Sequence, residues 1–344
     1  MNVKKPNGKE KTLSELRQDV VSGEWVVIAT GRAKRPNDFL KQKVVRTVQP
    51  KAMCPFEKLI SNRMLVFSKE TTRNGDWWLQ VIPNKFPAFG KGVCAVFYKE
   101  GPYQWTGGVG VHEIVVTRDH TRSIGVMSDA EVEYIMRAYQ DRYLALKGDR
   151  CIEYISIFHN HGKLAGASIT HPHSQIIGIP VIPPDIKRSI DGSRRYFNDH
   201  RSCVHCAIIR HERRVRTRVL YENDRFIVIA PYASKTAFET RVFPKFHSAR
   251  FEEITTKDRM LLANAFRTGV AKIYRGLHDP DYNFFLHTAP VRNIHDTNHY
   301  HWHFEIIPKT AIWAGFEIST GIEISVIRPE SAAEFLGGVK VPLT

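Results

Sequence analysis

Long apolar runs are missing from this chain. No stretch of its 344 residues approaches the roughly 18 apolar residues of a membrane span. The N-terminal sequence MNVKKPNGKEK is charged throughout with no apolar core behind it, which predicts no secretion signal and a cytoplasmic protein. Acidic residues are also short: 35 Asp and Glu against 50 Lys and Arg give a net charge of +15, which favours anionic partners such as phosphates. The densest basic patch, Arg210–Arg218, lacks the interleaved aromatics of a nucleic-acid stacking platform. It reads as a solvated basic face, so nucleic acid is not expected as a partner. Cysteine is scarce, five in an odd count. Without a secretory signal disulfides are not expected, and Cys94 and Cys151, in the apolar runs GVCAVFY and RCIEYISIF, read as core. Cys203-Val-His-Cys206 is a CxxC pair and calls for a metal or redox explanation.

An apolar share of 42% is enough for a real core, in one large domain or two ordinary ones. The same order of features then occurs twice. The first copy runs from Cys54 through strand-like WWLQVIPN and HEIVVT to His120, a helical pattern near 129–147, the strand CIEYISIFHN and finally HPHSQIIGIP. The second runs from Cys203 and Cys206 through FIVIAPYA and FETRVFPKFHS with His247, a helix near 257–277, the strand YNFFLHTAP and HYHWHFEIIP. Aligned end to end, the two closing segments set His171, His173 and Gln175 opposite His299, His301 and His303. This order predicts an α+β protein made of two like halves, each with antiparallel strands and one long helix. The junction falls in the Pro-rich, charged stretch after Pro180, giving halves of 1–190 and 191–344.

Zinc takes four N or S ligands in a tetrahedron, and two residues between cysteines let one turn present both sulfurs. Cys203, Cys206, His247 and one histidine of the HYHWH segment complete such a set. In the first half a carboxylate, Glu57, stands where the second cysteine should be. Cys54, Glu57, His120 and His171 then form either an oxygen-containing zinc site or a vacated one held by hydrogen bonds.

Strand alternation projects His171, His173 and Gln175 from one face. A neutral imidazole with one nitrogen held as N–H is a nucleophile toward phosphorus. His173 is the candidate. Gln175 can donate to phosphate oxygens, and the segment Asn160–Ser168, with Gly162, is small and glycine-rich enough for backbone N–H groups to approach an anion.

With HPHSQ, and Asn160 and Ser168 upstream of it, the chain resembles the galactose-1-phosphate uridylyltransferase family of the histidine-triad superfamily. The resemblance extends from about Leu16 to Phe335. It implies a duplicated histidine-triad-like fold and ping-pong transfer of a nucleoside monophosphate, from a nucleoside diphosphate sugar to a sugar-1-phosphate, through a covalent His173 intermediate. Gln175, Ser168 and Asn160 become phosphate and ribose contacts, Arg32 and Arg35 meet phosphate, and Asn84 and Phe86 neighbour the nucleoside. Phe316 and Glu323 fall on the sugar side, in a segment lacking the glutamine of hexose-specific relatives. That departure, with SQIIGIPVIPP, points to the branch that includes ADP-glucose phosphorylase. The family's HWH pattern favours His301 over His299 as the fourth zinc ligand, and the resemblance implies a homodimer. Alternatives are an ADP-sugar or dinucleotide phosphorylase, and a histidine-triad hydrolase acting on nucleic-acid or dinucleotide ends. Glutamine at 175, where hydrolases carry a third histidine, favours transfer.

Overall fold

The computed structural model describes residues 13–29, 39, 46, 48–57, 63, 65–68, 77–94, 96–292 and 297–342. Its first half contributes β3 (Leu65–Ser68), β4 (Trp77–Pro83), β7 (Val111–Thr117), β8 (Tyr154–His161) and β9 (His173–Ile179). Its second contributes β10 (Val219–Glu222), β11 (Phe226–Ile229), β12 (Thr240–Pro244), β13 (Tyr282–His287) and β14 (His303–Pro308). All ten belong to one antiparallel sheet in the order β10-β11-β12-β14-β13-β8-β9-β7-β4-β3. The halves meet at β8 and β13, where Asn160 stands opposite Asn283 and Phe158 opposite Phe285. The strands of both halves thus share one sheet.

Burial alternates from residue to residue along β13 and, from Ile155 onward, along β8. Ile155, Ile157, Phe284 and Leu286 face the core. Ser156, Phe158, Asn160, Asn283, Phe285 and His287 turn the other way, as the two-residue strand period requires. Helices α1 (Asp129–Leu146) and α4 (Thr256–Gly276) cover the core face. A Ser128/Glu131 capping box starts α1 and Thr255 caps α4. Both helices lie within a residue of the ranges read from periodicity. Each fully buried side chain, such as Phe266, Phe284 or Phe304, contributes about 1.5–3 kcal/mol.

The junction after Pro180 is helix α2 (Pro184–His200), with proline in its first turn, followed by α3 (Val204–Val215), whose N-cap is Cys203. A small sheet of β1 (Glu15–Gln18), β2 (Trp25–Ile28) and β15 (Glu323–Ser325) packs beside the second half, followed by α6 (Pro329–Gly338). The short helix α5 (Gly315–Thr320) buries none of its residues. β5 (Tyr98–Glu100) and β6 (Tyr103–Trp105) form a separate, exposed hairpin.

Cys94 and Cys151 are not core. They are joined as a disulfide, with Cys94 exposed and Cys151 half-buried. The apolar run around Cys94 lies on an exposed excursion between β4 and β7 in which Val93, Val96 and Phe97 are exposed, so apolar composition there does not mean burial. Among the described residues no helix is long and apolar enough to cross a membrane.

Candidate active site

Alternation along β9 sends Ser174 and Ile176 toward the helices and His173 and Gln175 to the opposite face. Ser174 pins the strand from below: its Oγ accepts from the Tyr139 hydroxyl at 2.5 Å and lies 3.1 Å from His159 Nδ1. His173 Nδ1 donates to the His171 carbonyl at 2.9 Å, which leaves the ring's lone pair on Nε2. Phe56 packs edge-on against the ring at 5.1 Å. Burial lowers the His173 pKa below the ordinary histidine value despite the carbonyl bond, so the ring is neutral near pH 7.

Gln175 stands opposite Phe158 on one side and Ile114 on the other. Asn160, on the same face of β8, accepts from Asn283 Nδ2 at 2.8 Å, which also donates to the Ala165 carbonyl at 2.8 Å. The glycine-rich turn follows. Gly162 has φ +86°, and a Cβ there would sit 1.9 Å from Asp281 Oδ1, so only glycine fits. Asp281 accepts from the Leu164 N–H at 2.6 Å, and Arg46 pairs with both Asp279 and Asp281. The second half therefore holds the turn of the first. Ser168 lies in an exposed bend beyond it.

Asn84 follows β4 and lies against His112 of β7, while Phe86 is 80% exposed. A cavity of about 830 Å³ opens on the same sheet face, with Phe158, Asn160, Lys235, Arg241, Glu305 and Glu323 among its walls. Glu323 and Asn160 are thus brought to one space; Phe316, on α5, is exposed and not in its lining. Arg32 and Arg35 lie outside the described residues. Sequence reading passed over His112, whose Nε2 is 2.8 Å from Gln175 Oε1. Its only signal was a polar residue on the same alternating face as Ile114.

Two clusters have metal-ligand chemistry. Donor atoms of Cys203, Cys206, His247 and His301 all lie within 4.8 Å of one another. Cys206 Sγ is 3.5 Å from Nδ1 of both His247 and His301, and Cys203 Sγ is 3.8 Å from His301 Nδ1. A tetrahedron with 2.0–2.3 Å bonds has edges of about 3.5 Å. Each ring turns its other nitrogen to a carbonyl, His301 to Pro244 at 3.0 Å and His247 to Asn298 at 2.7 Å, leaving both Nδ1 lone pairs aimed at the sulfurs.

In the first half Cys54, His120 and His171 form the matching cluster. His171 Nε2 donates to the Thr117 carbonyl at 2.7 Å and His120 Nε2 to that of Gln49 at 2.6 Å. Neither Nδ1 then carries a proton, yet the two face each other at 3.2 Å, with Glu57 Oε1 3.1 Å from one and 3.7 Å from the other. Converging acceptors of this kind call for a proton or a metal ion between them, and Glu57 Oε1 lies beside both rings.

The strands also correct the repeat register. His301 occupies before β14 the position of His171 before β9: His303 Nδ1 bonds the His301 carbonyl at 3.2 Å, as His173 does that of His171. His299 instead bonds the Ile190 carbonyl, away from the sulfurs. His173 thus matches His303, and Gln175 matches Glu305. A third group, His287, His303 and Glu305, also brings its donor atoms within 4.8 Å.

The galactose-1-phosphate uridyl transferase N-terminal domain matches residues 6–183, and its C-terminal domain matches residues 189–325. The chain belongs to the galactose-1-phosphate uridyl transferase family. It is a nucleotidyltransferase. ADP-glucose phosphorylase of Arabidopsis thaliana is 32% identical, covering 96% of this chain and 95% of its own. Galactose-1-phosphate uridylyltransferase of Thermotoga maritima is 29% identical over 96% of this chain and 100% of its own. The crystal structure of an Arabidopsis thaliana ADP-glucose phosphorylase with bound ADP-glucose superposes with a TM-score of 0.78 at 28% identity, covering 95% of this chain and 100% of that one.

Proposed function

We propose that the chain transfers a nucleoside monophosphate from a nucleoside diphosphate sugar to a phosphate acceptor through His173. The Nε2 lone pair forms a bond to the α-phosphorus as the bond to the bridging oxygen breaks, and sugar-1-phosphate leaves with the electron pair. An acceptor phosphate oxygen then attacks the same phosphorus, the N–P bond breaks, and the neutral ring is regenerated. The observation that carries this reading is the His173 ring itself, buried, neutral and held through Nδ1 so that its lone pair stands on Nε2. Gln175, Asn160, Ser168 and the Gly162 turn supply donors for the phosphoryl oxygens. Arg32 and Arg35 serve the phosphates, Asn84 and Phe86 the nucleoside, and Phe316 and Glu323 the sugar.

Two acceptors fit. A sugar-1-phosphate makes the reaction an exchange in galactose metabolism. Inorganic phosphate makes it an ADP-sugar phosphorylase, favoured by 32% identity to a protein so named. Incubation with α-³²P-labelled UDP-, ADP- and GDP-sugars should leave acid-labile label on the protein, and chase with each acceptor should discharge it. No label from any donor contradicts the mechanism, and the acceptor that clears it decides between the readings.

Zinc is the proposed metal in both clusters, where it would cross-link chain segments and, in the first, fix His171 beside the nucleophile. A homodimer is proposed on the exposed apolar residues Phe86, Phe97, Trp105, Trp313 and Ile318, which a second copy would cover. The halves 1–190 and 191–344 are proposed as the repeating units, and the cytoplasm as the compartment. The Cys94–Cys151 bond tests that placement, since thiols there are kept reduced. Nucleic acid has no part in the proposal: Arg213 and Arg216 of the basic run pair with Glu222, and Arg218 pairs with Glu212 and Glu330.

A further inference from the structure

His112 stands between two parts of the site that the chain brings together from distant segments. Its Nδ1 accepts the Ala88 backbone N–H at 3.2 Å. A backbone amide can only donate, so Nδ1 bears the lone pair and the neutral ring keeps its proton on Nε2. That proton faces Gln175 Oε1 at 2.8 Å. With its oxygen engaged, Gln175 must turn its NH₂ group the other way. Asn84 closes the arrangement: its N–H donates to the His112 carbonyl at 2.8 Å and its Oδ1 accepts from Phe86 N–H at 2.9 Å. The Asn84 Nδ2 lies 3.0 and 3.5 Å from the two ring nitrogens at once. That near-equal approach puts it over the ring face, away from the in-plane lone pair and proton, so it does not compete for either.

We propose that His112 is a positioning residue that fixes the amide of Gln175 with its NH₂ toward the transferred phosphoryl group and ties that orientation to the Asn84–Ala88 nucleoside loop. The role rests on the nucleotidyl-transfer reading. Without His112, the Gln175 amide can flip, and half of its orientations present an oxygen to an anion. Nucleoside binding and phosphoryl stabilisation then become separable.

Three measurements on the full-length protein test this. Long-range ¹H–¹⁵N spectra should show His112 in the Nε2-protonated tautomer; the Nδ1-protonated form overturns the proposal, whatever the protein's activity. His112→Leu should slow label transfer from the donor sugar nucleotide about 10- to 100-fold, less than the roughly 10²–10³-fold loss when an anion-stabilising donor is removed outright. Its melting temperature should stay near wild type, and His112→Gln, which restores an N–H at the position of Nε2, should recover the rate to within about threefold. In a Gln175→Ala background His112→Leu should cost nothing further. Additive losses, or failure of His112→Gln to recover more than His112→Leu, assign a merely structural role and overturn the proposal. Absence of label on the wild-type protein refutes the transfer reading and this role with it, a result distinguishable from a wild-type protein that labels while His112→Leu labels equally fast.

Discussion

The two halves share one sheet and one plan, yet their clefts differ in charge. In the first half His173 and Gln175 are neutral, and Asn160 beside them is an amide. At the matching positions the second half has His303, Glu305 and His287. Arg241 there lies 2.9 Å from Glu239 and 3.2 Å from Glu305, and His287 Nε2 is 3.0 Å from Glu305. Burial opposes ionisation of Glu305, but Arg241 and His287 hold its carboxyl well below the usual range, while burial pushes Glu239 up to about 8. A phosphoryl group entering this cleft would meet a carboxylate where the first half offers an amide. The same strand register thus presents neutral groups in one half and an internal ion-pair network in the other, and the residue at position 175 or 305 makes the difference.

The largest expected effect separates the two histidines. His173→Ala should lower label formation by about 10⁶-fold, the scale of removing a nucleophile, whereas His303→Ala should leave the labelling step standing. Equal losses in both variants break the comparison. The metal clusters come next. Cys203→Ser should release at least one equivalent of metal per chain and cost at least about 3 kcal/mol of stability, because structural zinc binding is worth on the order of 10 kcal/mol. Cys54→Ser should cost less, since that donor set includes an oxygen ligand. Undiminished metal in Cys203→Ser rules out the CxxC pair as ligands.

Gln175→Glu gives the first cleft the carboxylate of the second. Label formation should fall about 10²–10³-fold, with binding of the free nucleoside unchanged. An unaffected rate means that charge at this position does not distinguish the halves. The smallest effect is in pH. Burial lowers the His173 pKa, so an unfolded histidine protonates first as pH falls. Label formation should hold through about pH 6.5 and decline only below it, and the stability contributed by this neutral ring is present above about 6.5 and lost as pH falls further. A decline centred above that value contradicts the burial argument.

Much of this was legible in the residues. HPHSQ marked strand β9 with its buried histidine, periodicity placed both long helices within a residue, and recurring Cys and His marked both clusters of metal-ligand chemistry. Register was not legible in the repeat itself, because HYHWH offers three histidines two apart, all in phase with a strand; the resemblance favoured His301, and its Nδ1 is the one that lies beside both cysteine sulfurs. The join of β8 to β13 depends on backbone bonds between segments far apart in sequence. Cys94 and Cys151 misled for a similar reason: their local composition is apolar, but their surroundings are set by an exposed excursion. His112 carried no motif, since its role comes entirely from the Ala88 amide and Gln175 meeting its two nitrogens.

Peptide mapping of the protein after reaction with an α-³²P-labelled nucleotide sugar tests the central claim most directly. The account predicts acid-labile label on the peptide containing His173 and none on that containing His303. Label on His303, or a wild-type protein that takes up none from UDP-, ADP- or GDP-sugars, would contradict it.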